Sequence, residues 1–250
     1  MAMFFLIIVG LAVGSFINVV VVRLAAGEKL TGRSQCRNCR HQLSWYYNIP
    51  VLSFLYLRGR CAWCQRPISW QYPVVEAAAA LFFGVSVFFI PPGDWLGWLI
   101  YLVLVSYLLA LFVFDFKYMV LPDSLTLSGT AVLLILNLWY GHSLGELLGG
   151  MVLGGGLFVL QYLVSKGKWV GAGDIRFGLL IGAALGWRLT IVALLFSYWL
   201  GAIVALVLLI LKRAKRGSHL PFGAFLAIAT LLAWVWGEPL WRWYINWLGF

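Results

Sequence analysis

The stretch Gly167–Leu180, GKWVGAGDIRFGLL, sets Asp174 behind Gly171 and Gly173 at the mouth of an apolar run. An ionised carboxylate is costly to hold in hydrocarbon, so an aspartate at the edge of a membrane span is a functional candidate. Whether the run after it is such a span decides the fold. The chain is 63% hydrophobic and 10% charged, with a mean hydropathy of +0.95, whereas about a quarter of the residues of a soluble domain are charged. Windows of about 19 residues pick out apolar segments at about 3–22, 74–90, 95–114, 124–140, 145–164, 175–185, 189–211 and 222–236. The sixth is short and meets the seventh through Gly186, Trp187 and Arg188, which predicts either a tight helical hairpin or one broken span. The first run has no basic flank before it and no small-residue cleavage site after it, so it reads as a retained span. The expected fold is all-α: a polytopic membrane helix bundle of about eight spans, 1–22 being the first and 73–250 the main membrane core.

Positive charge sets the expected orientation. Residues 23–72 hold eight basic side chains, and the segments after Asp115, around GAGD and before Pro221 bring the total to 16 of 18. All fall on one side if the spans alternate, leaving Arg188 and Arg242 opposite. By the positive-inside rule that side is cytoplasmic and both termini lie outside. The net charge of +10 is thus a topology signal, and dispersal over four loops speaks against nucleic acid as a partner. Lys212, Arg213, Lys215 and Arg216 suit an anionic leaflet, which makes membrane lipid a partner.

The 23–72 segment contains every cysteine, as Cys36-x-x-Cys39 and Cys61-x-x-Cys64. Two such thiolate clamps complete a tetrahedral zinc site, and disulfides are the alternative. The cytoplasmic placement disfavours disulfides, and a loop too small to bury a core gains its folding energy from a metal. The expectation is a small zinc-binding loop domain, with His41 outside the ligand set.

Four of the eight acidic residues, Glu28, Asp94, Glu146 and Glu238, suit a solvated surface in loops or at span ends. Asp115, in LALFVFDFKYMVLPDSLTL, and Asp174 differ: apolar sequence flanks each, and alternation of the spans brings both to one depth. Two neighbouring carboxyls share a proton, so one can activate water while the other polarises a scissile carbonyl. Gly171 and Gly173 would admit a substrate strand or the second aspartate. Asp123, after Pro122, reads as the start of a helix. Relay carboxylates of a proton-coupled transporter or channel are the competing reading, but that use places both aspartates deeper and needs no cysteine loop.

GSFINVVVVRL at Gly14–Leu24, both CxxC pairs, SWYYNIPVLSFLYLRGRC, RPISWQYPVVE, FDFKYMVLPDSLTL, GAGDIRFG and LPFGAFLAIA run in order along nearly the whole chain. Together they resemble the bacterial type IV prepilin peptidases, the bifunctional leader peptidases and N-methyltransferases of the GxGD aspartyl protease class. The resemblance implies Asp115 and Asp174 as the catalytic pair, with Gly171, Gly173 and Arg176 as motif support. It implies zinc on Cys36, Cys39, Cys61 and Cys64, and methyl transfer from S-adenosylmethionine associated with that loop, Gly59 and Glu76 matching family positions. It implies prepilin or pseudopilin substrates and residence in the bacterial inner membrane. Arg176 stands where the family usually has lysine, and the last motif lacks a second proline. Without the resemblance, Glu76 reads evenly between a functional residue and a side chain that reaches the headgroups or pairs with a loop arginine. Gly145-xxx-Gly149 and Gly150-xxx-Gly154 predict close helix packing. Trp95, Trp98, Trp139, Trp236, Trp241 and Trp243 predict interfacial belts.

Overall fold

The computed structural model describes residues 1–213 and 220–249; Lys215 and Arg216 of the expected lipid-facing cluster lie outside them. The described elements are helices: α1 Ala2–Ala25, α2 Leu52–Tyr56, α3 Gln71–Val85, α4 Trp95–Tyr118, α5 Asp123–Tyr140, α6 Leu144–Ser165, α7 Ala172–Ile210 and α8 Phe222–Trp247. Short 3-10 turns at Trp45–Asn48 and Ser86–Phe88 complete them, and two isolated β-bridges lie in the cysteine loop. Six helices among the described residues, α1, α3 with its 3-10 turn, α4, α6, α7 and α8, are long and apolar enough to cross a membrane.

The expected eight apolar segments are recovered once α7 is divided and α5 is counted. At 39 residues a straight α7 would measure about 58 Å, nearly twice a hydrocarbon thickness of about 30 Å. It breaks at Gly186, whose φ of +69° and ψ of 175° are not helical and favour glycine. The neighbours of its two arms show a hairpin. Gly150 and Gly154 of α6 pack on Gly182 and Gly178 of the first arm, while Gln161, farther along α6, bonds Tyr198 of the second arm. The second arm therefore doubles back from Gly186. The break frees helix carbonyls, and the buried Asn137 of α5 donates to two of them, Ala183 O at 3.0 Å and Ala184 O at 3.3 Å. That satisfies backbone groups which lipid cannot.

The chain divides into two compact units, Met1–Ala110 and Leu111–Phe250, with the boundary inside α4. In the first, α1 and α3 pack together in antiparallel register. A Cβ at Gly10 would stand 2.7 Å from Ala79 O, and one at Gly14 2.6 Å from the Glu76 Cα. Asn18 donates to Tyr72 O and accepts from Gln71, locking the register at the loop end of the pair. Arg23, in the last turn of α1, then gathers the chain by donating to the carbonyls of Lys29, Leu30, Thr31, Gly32 and Arg33. Only a guanidinium has the donors for this.

In the second unit α7 packs on α5, α6 and α8. The glycine spacing in α6 has two outcomes: Gly150 and Gly154 make the close approach, whereas Gly145 faces open space and Gly149 meets only Trp187 at ordinary distance. A Cβ at Gly178 would fall 2.6 Å from the Gly154 carbonyl carbon and 2.8 Å from Phe158. Gly178→Val should therefore force α6 from α7 and destabilise by about 2–3 kcal/mol or more, read as a lowered Tm in detergent. An unchanged Tm would contradict this packing.

Candidate active site

Asp115 sits in the last turn of α4 and Asp174 in the first turn of α7, and both line one cavity of about 310 Å³. Val120, Leu121, Asp123, Gly173 and Arg176 complete most of its wall. Helix N-termini hold both carboxylates. Asp115, only 6% exposed, accepts the Ala224 N–H of α8 at 2.9 Å. Asp174 reaches back to accept the Gly171 N–H at 2.8 Å. Unpaired amides of a helix's first turn point along its axis with a partial positive charge, which suits an anionic oxygen.

The glycines have separate tasks. Gly171 is extended, with φ −83°, and contributes its amide. A Cβ at Gly173 would lie 2.9 Å from the Leu121 side chain, so what approaches this glycine is the wall of the cavity rather than the second aspartate. The glycine that makes room for a catalytic candidate is Gly223, where a Cβ would stand 3.0 Å from the Asp115 carboxyl. Reading the residues one by one gives Gly223 and Ala224 no task, because the signal, a Pro-x-Gly-x helix start, lies 109 residues from Asp115.

Asp123 does open α5, as expected, but its side chain makes no cap there. It pairs with Arg176 instead, at the half-exposed rim of the cavity. The cation two residues after Asp174 thus ties the first turn of α7 to α5. Neither Asp115 nor Asp174 is deep in a span, and the depth required by the transporter reading is not found.

In the first unit the four cysteine sulfurs lie within 4.8 Å of one another. They belong to two copies of one hairpin. Cys36 N–H bonds His41 O and Arg40 N–H bonds Cys36 O; 25 residues on, Cys61 N–H bonds Arg66 O and Gln65 N–H bonds Cys61 O. Arg40 and Gln65 share a left-handed φ of 56°, and a β-bridge closes each hairpin, Gln35 to Gln42 and Arg60 to Pro67. The Arg66 amide beside Cys64 pulls that thiol down to about 6. At Cys39 the His41 amide acts in the same direction, but desolvation and the neighbouring sulfurs push the thiol up to about 11. The resistance of Cys39 to ionisation beside the other sulfurs is what a metal cation relieves. The donor set fits a closed four-sulfur site. His41 stands outside this group of four sulfurs, and its ring stacks on Trp63 at 3.8 Å, joining the two hairpins.

Gly59 and Glu76 flank α2. Gly59, at φ +69°, turns the chain against the Phe54 ring. Glu76 is 7% exposed and accepts the Val51 N–H at 2.7 Å. It neither reaches out to headgroups nor pairs with an arginine, contrary to both structural alternatives, because it turns to the half-buried Val51 amide.

Two aspartates from separate helices on one cavity, in an all-helical membrane protein, define a candidate membrane aspartyl peptidase. Comparison with known proteins agrees: residues 8–90 match the Bacterial Peptidase A24 N-terminal domain and residues 102–206 the type IV leader peptidase family. A prepilin leader peptidase/N-methyltransferase of Aeromonas salmonicida (strain A449) is 36% identical over 220 residues, 86% of this chain and 75% of that protein. The protein of the same description from Pseudomonas putida is 35% identical over 272 residues, 97% of this chain and 93% of that protein. One from Myxococcus xanthus (strain DK1622) is 34% identical, covering 95% and 74%. No solved structure matches. The chain belongs to the type IV leader peptidase family.

Proposed function

We propose that this chain is a membrane-embedded aspartyl endopeptidase that removes the leader of type IV prepilin-like proteins, then N-methylates the new N-terminus. The observation that carries the peptidase reading is the arrival of Asp115 and Asp174 at one cavity, each bonded to a helix N-terminal amide. With one shared proton, the ionised carboxylate takes a proton from water as the oxygen attacks the scissile carbonyl carbon. The protonated carboxyl donates to the carbonyl oxygen. Collapse of the tetrahedral intermediate expels the amine, which leaves protonated. Arg176, tied to Asp123, holds the first turn of α7 in place for Asp174.

The functional segments are 1–22 as first span, 23–72 as the loop associated with methyl transfer, and 73–250 as the peptidase core. Cys36, Cys39, Cys61 and Cys64 hold one structural zinc, which fixes the two hairpins to each other. S-adenosylmethionine supplies an electrophilic methyl group, and Gly59 and Glu76 are the residues assigned to border it. A multi-pass protein of the bacterial inner membrane, this chain places the cysteine loop in the cytoplasm and both termini outside. Prepilins and pseudopilins are its substrates, and nucleic acid is not a partner.

Membranes containing the protein, incubated with a prepilin, should convert it to a faster-migrating form whose mass has fallen by the leader. An unprocessed prepilin under conditions where a known family member cleaves it would refute the proposal.

A further inference from the structure

Helix α3 with its 3-10 extension, Gln71–Phe88, has 18 residues. At 1.5 Å per residue that is about 27 Å, no more than a hydrocarbon thickness of about 30 Å. Such a span has no length to spare outside the membrane. Gln71 therefore stands at the boundary, and Glu76 lies about 7.5 Å inside it. The Val51 amide that bonds the Glu76 carboxylate at 2.7 Å lies within a glutamate side chain's reach of that level, on its boundary side.

We propose that the segment from Trp45 to Arg58 is a re-entrant interfacial anchor, seated in the headgroup and upper acyl region of an anionic leaflet and holding the cysteine hairpins against the membrane. Irregular backbone at that depth persists only where its polar groups find protein partners. Val51 is irregular, with φ +60°, and its partner is the Glu76 carboxylate. The short helix α2 then turns one apolar face outward. Leu52, Leu55 and Tyr56, at spacings that share a helix face, are exposed, Leu55 at 62% and Tyr56 at 80%. Phe54 points the other way, buried against Gly59 and with its ring 5.0 Å from that of Trp70. Trp45 and Trp70, the latter 72% exposed and one residue before α3, are of the amphipathic type that settles at headgroup level. Exposed Arg58 and Arg60 follow α2 directly and complement acidic headgroups. Apolar side chains buried about 5–10 Å, with cations beside them, are how interfacial helices bind, and a Val51 amide held near the boundary by Glu76 places α2 in that zone.

The test is photocrosslinking of the full chain in vesicles of phosphatidylglycerol and phosphatidylethanolamine. Leu55 and, in a second variant, Tyr56 are replaced by p-benzoylphenylalanine; both are exposed, so the fold tolerates the change. Irradiation should add the mass of one phospholipid to each variant. The same replacement at Arg37, on the first cysteine hairpin, should add far less. Crosslinks from both positions to residues 111–250, to a second copy or to added pilin in place of lipid would overturn the proposal, as would no lipid adduct at either. The readout is an adduct mass, so it stands apart from cleavage and methylation.

Discussion

Asp115→Asn and Asp174→Asn should each lower leader cleavage by at least about a thousandfold, within the range carried by general acid–base groups, while leaving the protein folded. An asparagine amide keeps the shape of the carboxyl, and its oxygen can still accept the Ala224 or Gly171 N–H that positions the native side chain. What it cannot do is take a proton from water or hold the shared one. The check is a prepilin cleavage time course beside a thermal melt of each purified variant. Asp123→Asn is the comparison. It lines the same cavity but is spent on Arg176 at a half-exposed rim, where an ion pair contributes about 1 kcal/mol or less, so its cleavage should fall far less. Near-native cleavage by either dyad variant with an unshifted melt would remove Asp115 and Asp174 from the chemistry.

How much of this was readable in advance depends on whether the cause is local. The spans were legible because membrane insertion rewards an unbroken apolar run, and that reads directly from residues 3–22 or 95–114. The pause at Gly186 was legible as a choice between a hairpin and a break; only the placement of Gln161 beside Tyr198 decides for the hairpin. The four cysteines were legible as one group, since two-residue spacing is set by the hairpin each pair must form. The duplication of that hairpin, down to the shared left-handed φ at Arg40 and Gln65, was hidden because few residues repeat besides the cysteines themselves. The supports of the dyad were the least legible. Ala224 and Gly223 act on Asp115 across more than a hundred residues, and nothing in their own neighbourhood announces it. The structural half of the reading of Glu76, headgroups or an arginine, missed for a related reason. Near the mouth of a span a glutamate suggests water or an arginine, while its actual partner is a main-chain amide of Val51, which carries no side-chain signature.

The second large effect should be a separation of the two activities. Cys36 and Cys61 come from different copies of the hairpin, so the Cys36→Ser, Cys61→Ser double variant removes half of each clamp and leaves no four-sulfur site. Purified native protein should contain about one zinc per chain, and the double variant close to none. The cysteines lie in the compact unit Met1–Ala110, whereas Asp115 and Asp174 with the amides that hold them lie in Leu111–Phe250. Loss of the metal should therefore abolish methylation and spare cleavage. The reverse separation has a chemical reason. Methylation needs an unprotonated amine, and the amine does not exist until the leader is gone, so a dyad variant fails on a prepilin for want of substrate rather than for want of a methyl-transfer site. Given an already processed pilin and S-adenosylmethionine, Asp174→Asn should methylate it at the native rate. Mass spectrometry of the pilin N-terminus, looking for one added methyl group, reads both halves. Full methylation by the metal-free double variant would detach the cysteine hairpins from methyl transfer. A native chain that cleaves efficiently but adds no methyl group to any pilin would leave the peptidase reading standing alone.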